Sequence, residues 1–262
     1  MAKGPLEILN AFRKTQLYTS VFRHGVPLNR RNRMLAILTN VFLHLHPATI
    51  PKHAVKPKYT WCMGGLSFFL FLVLTLTGVL LMFYYRPTVE YAYGDMIDLG
   101  EQVPLGIMRE IHRWGAHAMV IAVWLHMFRV FMTGSYKPPR EFNWVLGVLL
   151  LVLTMFLSFT GYLLPWDQLA MWAITVGTNM GGATPFLGSE GPGAALLSIG
   201  EVNLVHSGSD AKFALLGGRF VGDAALLRFY VLHCVAIPLI AGLLMAIHFW
   251  RIRKDGGISR PL

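Results

Sequence analysis

Long apolar runs, separated by short basic or polar connections, set the layout of this chain. Three runs, 61–85, 142–166 and 229–250, contain no charged residue. Each exceeds the roughly 20 residues that an α-helix needs to cross a bilayer. A fourth run, 114–128, is short, but reaches full length as 107–132 if Arg113 and Arg129 carry their charges out to opposite interfaces. The pattern predicts an all-α membrane protein, a bundle of four transmembrane helices. Ahead of the first run, Met34, Leu35, Leu38, Val41, Phe42 and Leu45 recur at helical spacing behind Arg30, Arg31 and Arg33. That pattern predicts an amphipathic helix lying on a membrane surface. The basic, nearly acid-free first thirty-three residues also fit an organelle transit peptide. Pro47, Pro51 and Pro57 mark 47–59 as a linker. The chain therefore divides into a basic N-terminal extension, 1–58, and a four-helix domain, 59–262.

Composition excludes a soluble domain: 55% of the 262 residues are hydrophobic, 14% are charged, and mean hydropathy is +0.52. The net charge of +10 is unevenly spread. The segment 1–60, the connection between the second and third runs, and the C-terminal tail together hold 17 basic and three acidic residues. The two remaining connections hold six basic and ten acidic residues. The positive-inside rule then puts both termini in the cytoplasm or its equivalent. This bias accounts for the net charge without nucleic acid, and the basic tail is suited to anionic lipid. No run resembles a cleaved signal sequence. The connection between the third and fourth runs is long and glycine-rich, and lies on the outer side.

Four histidines in two pairs carry the chemistry. His112 and His126 are fourteen residues apart in one run, and His233 and His248 fifteen apart in another. On helices these spacings separate the imidazoles by about 21 and 22 Å along the axis, with angular offsets of roughly 40° and 60°. Two facing helices of this kind would clamp one iron near each membrane face, with His112 and His233 at the outer end and His126 and His248 at the inner. Bis-imidazole iron is closed and six-coordinate, suited to electron transfer. A lone intramembrane histidine would be explained by an interhelical hydrogen bond; four at matched spacing point to two stacked haems. His117 falls off this stripe and is read as a non-ligand. His24, His44, His46, His53 and His206 are read as surface residues.

Glycines repeat the interval: Gly64 and Gly78 are fourteen apart on the first helix, as are Gly147 and Gly161 on the third. A missing side chain would let a flat macrocycle approach, although small residues also serve ordinary helix packing in lipid. A kink at Pro238 could reconcile the fifteen-residue interval with the fourteen-residue one. Arg109 and Arg113 flank His112, and Arg129 and Arg140 lie inward of His126; they are candidates for haem propionates and for interface anchoring. The two cysteines form no C-x-x-C-H motif. Cys234 reads as a buried apolar residue, and composition alone gives Cys62 the same reading.

The stretches WCMGG (61–65), FYYRPTV (83–89), IHRW (111–114), LHMFRV (125–130), PREF (139–142), GYLLPWDQ (161–168), RFYVLH (228–233) and HFWRIRK (248–254) together resemble the cytochrome b6 family. That family corresponds to the N-terminal half of the cytochrome b of bc-type complexes. The likeness covers roughly 50–262. It implies a subunit, inactive alone, of a quinol:cytochrome c-type oxidoreductase working by a Q cycle. The implied cofactors are two haems b, the outer of lower potential, and a haem c bonded through one thioether to Cys62. Arg253 would lie beside that haem and the inner quinone site, and Arg109, Arg113 and Arg140 beside propionates. Menaquinone is the expected quinone. The implied partners are a separate C-terminal-half polypeptide like subunit IV, a Rieske iron–sulfur protein and a c-type cytochrome, in a dimeric complex. The Pro-Glu-Trp-Tyr motif of the family's C-terminal half does not occur. A longer N-terminus and an insertion around 189–217 depart from plastid members and favour a bacterial inner membrane. Two further readings remain: the di-haem membrane anchor of a dehydrogenase or hydrogenase, and a transporter with metal-binding histidines.

Overall fold

The computed structural model describes residues 4–16, 18, 28–40, 44, 50–102, 104–199 and 202–259. Helices α1 (Pro5–Arg13) and α2 (Arg30–Thr39) precede the short α3 (Pro57–Thr60). The first membrane helix, α4, is Met63–Met82; α5 (Ala92–Glu101) leads to α6 (Leu105–Met132) and α7 (Glu141–Leu163). After α8 (Gln168–Gly182) come a two-stranded antiparallel hairpin, β1 (Ser198–Ile199) and β2 (Val202–Asn203), and α9 (Ala211–Leu216). The last helix, α10, runs through Asp223–Lys254. Among the described residues α4, α6, α7 and α10 are long and apolar enough to cross a membrane, as the runs predict. At 1.5 Å per residue they measure about 30, 42, 35 and 48 Å.

The helix ends differ from the apolar runs for local reasons. Trp61 and Cys62 take left-handed backbone angles, φ 50° and 52°, so α4 starts at Met63 rather than at residue 61. Gly134, φ 62°, closes α6: the Ser135 amide donates to the Val130 carbonyl at 3.0 Å. Within GYLLPWDQ, Pro165 cannot continue the amide ladder and Trp166 turns left-handed at φ 53°. The Asp167 carboxylate then accepts from the Ala170 amide at 2.8 Å and caps α8. In α10 a π-helical turn spans Leu232–Ala236 and contains His233. It lies just ahead of Pro238, where the sequence predicts a kink. Pro238 has no N–H for the Cys234 carbonyl, and the widened turn absorbs one residue, so the fifteen-residue interval acts as fourteen.

The helices pack chiefly as two pairs, α4 with α6 and α7 with α10. The main buried cluster sits at the end of the bundle opposite the C-terminal tail, the end that the charge bias predicts to be outer, where Tyr85, Leu163, Trp166, Ile174, Leu216, Leu226 and Phe229 join the helix ends to α8 and α9. Tyr85 donates to the Leu164 carbonyl at 2.6 Å within it. The long outer connection is thus a folded cap. Farther along, large side chains such as Phe69 (60% exposed) and Leu76 (65%) point outward, as lipid-facing positions do. At the inner end the Ser259 carbonyl accepts from Tyr59 Oη at 2.9 Å and meets His53 Nε2 at 3.1 Å, and Ser135 and Ser259 share a hydroxyl hydrogen bond. These bonds join the linker, the α6–α7 connection and the C-terminal tail, the three segments that the basic bias groups together. His53 is half-buried here, not a free surface residue, because Tyr59 and Ser259 enclose it.

The surface-helix stripe is realised over Arg30–Thr39. Met34, Leu35 and Leu38 are exposed, at 40%, 47% and 50%. Val41, Phe42 and Leu45 lie outside the described residues, as do His24 and His46. Helix α1 was not foreseen.

On the outer side Arg86 clamps Asp95, with Nη2–Oδ1 at 2.5 Å and Nε–Oδ2 at 3.1 Å, while the Arg86 amide donates to Oδ2 at 2.8 Å. The guanidinium hydrogen bonds hold the buried Asp95 carboxyl below the usual carboxylate range. A depressed carboxyl stabilises the fold above its unfolded pKa and loses that contribution as pH falls through the folded value. Limited proteolysis of 86–104 should therefore stay slow at neutral pH and accelerate below about pH 4. Asp95→Asn should abolish that pH dependence and give fast cleavage throughout.

Candidate haem sites

The outer histidines face one another across the two helix pairs. The His112 and His233 rings lie 6.2 Å apart, centre to centre, with planes at 77°. Two metal–imidazole bonds of about 2 Å, plus the half-width of each ring, also span roughly 6 Å. The separation fits one iron. Hydrogen bonds assign the tautomers. Thr77 Oγ1 donates its single proton to the Val73 carbonyl at 2.7 Å, so it accepts from His112 Nδ1–H at 2.9 Å. Thr160 does the same, donating to Phe156 at 2.8 Å and accepting from His233 Nδ1–H at 3.2 Å. The Leu157 carbonyl, which can only accept, also meets His233 Nδ1 at 3.1 Å. Nε2 of each ring thus keeps its lone pair for a metal, and the second partner sets the ring's orientation.

Each glycine of the two pairs backs an imidazole. A Cβ on Gly78 would stand 3.1 Å from His112 Cε1, and one on Gly64 3.2 Å from His126 Cε1. One on Gly161 would reach 2.5 Å from His233 Cε1; Gly147 is looser, 3.9 Å from His248 Cε1 and 3.5 Å from Met127 Sδ. The missing side chains first make room for the imidazole rings, which refines the expectation of direct macrocycle contact.

The inner pair is different in kind. His126 and His248 are half-buried, and Nδ1 of each lacks a hydrogen-bond partner. Among the described residues, seven buried side-chain polar atoms are unpartnered, and all lie at this end: those two nitrogens, Nε of Arg129, Arg140 and Arg251, Asn143 Oδ1 and Asp255 Oδ2. Burying polar atoms unpaired costs about 1–3 kcal/mol each. Their convergence fits a polar, charged occupant such as a haem with its propionates.

The other expected residues divide. Arg109 and Arg113 flank His112, but both are held by Glu110, at 3.4 and 2.7 Å. Arg129 lies 6.0 Å from the Tyr59 ring centre, and Arg140 donates to the Asp255 carbonyl at 3.2 Å. Arg253 is half-exposed on the last turn of α10. Cys62 is a free, exposed thiol rather than a buried one, because the left-handed turn lifts it out of α4; its amide donates to Thr60 Oγ1 at 3.2 Å. Cys234 is free and half-buried. His44 and His206 are exposed, and His117 faces outward from the bundle. Thr77, Thr160, Arg251 and Asn143 were not anticipated. A signal existed: LTLTG (74–78) echoes LSFTG (157–161), and HMFR (126–129) echoes HFWR (248–251).

A four-helix membrane bundle with a histidine pair at each end, each imidazole backed by glycine, defines the b class of membrane cytochromes. A family model described as cytochrome b/b6/petB matches residues 49–191. Cytochrome b6 of Auxenochlorella protothecoides is 43% identical over 214 residues, 81% of this chain and 88% of its own length. Cytochrome b6 of Synechococcus elongatus is 40% identical over the same shares. The chain belongs to the cytochrome b/b6 family, whose members bind haem b in the membrane. It is a multi-pass electron-transfer subunit of a quinol oxidoreductase complex, which sets aside the dehydrogenase-anchor and transporter readings. A solved hyperthermophilic respiratory complex III chain shares the fold, with a TM-score of 0.67 over 95% of this chain, at 24% identity. This chain spans 55% of that one.

Proposed function

We propose that this chain is the di-haem subunit of a bc/b6f-type quinol:cytochrome c-type oxidoreductase. It carries electrons across a bacterial cell membrane, between an outer quinol-oxidising site and an inner quinone-reducing site, in a Q cycle. The observation that carries the reading is the outer pair, two imidazoles 6.2 Å apart whose Nδ1 atoms are already engaged. His112 and His233 hold one iron, and His126 and His248 the other. When bound, each haem supplies a one-electron iron couple. Arg129, Arg140 and Arg251 neutralise propionates at the inner end, while Arg109 and Arg113 do so at the outer end by exchanging Glu110. Both termini are cytoplasmic.

Cys62 holds a third haem covalently, near Arg253 and the inner quinone site. Its exposure supports this, as does the pair of left-handed non-glycine residues that presents it, a conformation that concentrates at functional sites. The thiol adds across a vinyl double bond, sulfur to one carbon and its proton to the next, with no external oxidant. The quinone is menaquinone. The partners are a subunit IV-like polypeptide, a Rieske protein and a c-type cytochrome, in a dimeric complex.

A dithionite-reduced spectrum of the purified protein should contain a b-type band; its absence would refute haem binding. On a denaturing gel stained for haem, the chain should retain colour at 29 kDa. Cys62→Ala should lose that stain and keep the b-type band. An unstained wild-type chain, from a host able to attach haem, would exclude the covalent group alone.

A further inference from the structure

Through the middle of the membrane, acidic, basic and histidine side chains are confined to the inward stripe, with one exception. Helix α4 has none between Met63 and Met82, α7 has none after Glu141, and α10 has none between His233 and His248. On α6, His117 is exposed on the outward face, thirteen residues into the twenty-eight of the helix. It lies about 18 Å from the outer end of a helix about 42 Å long. One turn outward, the longer Arg113 side chain reaches the interface and pairs with Glu110; the imidazole is too short to follow it. Among the described residues its one aromatic neighbour is Trp114, whose ring it meets at 5.6 Å and 66°.

Even neutral, the imidazole has one donor and one acceptor nitrogen, and hydrocarbon satisfies neither. Intramembrane ionisable residues accordingly face protein or a polar cavity. The surroundings form a seam: Ile107, Trp114, His117, Ile121, Trp124 and Phe128 follow one another at heptad spacing. All are exposed, the apolar members by 55–62%. A second copy is a poor occupant, because a face paired with itself would set Trp114 and Trp124 against their counterparts. Close helix pairs in membranes rest instead on small residues and interhelical hydrogen bonds.

We propose that this face of α6 seats a membrane-spanning helix of another polypeptide. That helix offers a hydroxyl or carboxamide side chain to His117 at mid-depth and passes between Trp114 and Trp124 on small residues. The surface is independent of the haem assignment.

The test uses the whole complex extracted from native membranes, with a benzophenone amino acid replacing Ile121. Illumination should give a product heavier than 29 kDa in which mass spectrometry identifies a peptide of a different membrane chain. His117→Leu in that background should lower the yield roughly three- to tenfold, the worth of one interhelical hydrogen bond. His117→Gln, which keeps a donor and an acceptor, should restore it. A product at twice the chain mass, an adduct with lipid or quinone only, or an unchanged yield in His117→Leu would each overturn the proposal. So would loss of the b-type band in His117→Leu, which would put His117 inside the bundle.

Discussion

Replacing His126 with alanine should remove about half of the reduced b-type absorbance and leave the outer centre in place. Without His126 only His248 would hold the inner group, and among the described residues no other imidazole is free to replace it. His117 is nine residues away on the outward face, and the half-buried His53 is engaged by Ser259. The outer pair should survive, because its geometry depends on Thr77, Thr160 and Leu157, none of which touches the inner end. A redox titration should find two components in the wild type and one in His126→Ala. Differences in charge and exposure separate the two potentials. Two intact components in the variant would disprove the ligand pairing.

Gly161→Ala should empty the outer site, whereas Gly147→Ala should keep both centres. The added methyl at 161 would stand 2.5 Å from His233 Cε1 and 3.1 Å from both ring nitrogens. The ring cannot swing aside, since Thr160 and Leu157 hold it and the π turn sets its Cα. Overpacking of this kind costs about 1–3 kcal/mol, a loss of about five- to 150-fold in retention of the group. At 147 the nearest atom is Met127 Sδ at 3.5 Å, the end of a flexible side chain, and His248 is 3.9 Å away. Comparing the reduced spectra of the two variants measures the difference. Equal loss, or no loss in either, would show that the glycines serve helix packing alone.

The membrane helices were legible because length and lack of charge are local properties, and a span needs only about 20 apolar residues in line. The four histidines and four glycines were legible for a related reason: a helix converts sequence interval into height and angle, so intervals of fourteen, and one of fifteen, already imply two levels. Side-chain pairing across helices has no such rule. Thr77 and Thr160 look like ordinary helix threonines until α4 meets α6 and α7 meets α10, and only then does each hydroxyl define an imidazole tautomer. The capture of Arg109 and Arg113 by Glu110 depends on rotamers, and the seven unpartnered atoms at the inner end come from three helices and the residues that cap two of them. The turn that exposes Cys62 needed two non-glycine residues to go left-handed, which local preference opposes. The π turn at His233 rests on a choice between neighbouring carbonyls as acceptor, a difference too small for sequence to announce. Sequence alone determined the spans, the clustering of charge and the two levels of histidines, because these follow from the periodicity of a single helix. The tertiary structure decided which ring faces which, how each is oriented and which polar atoms are left for a cofactor, because those depend on contacts between segments far apart in the chain.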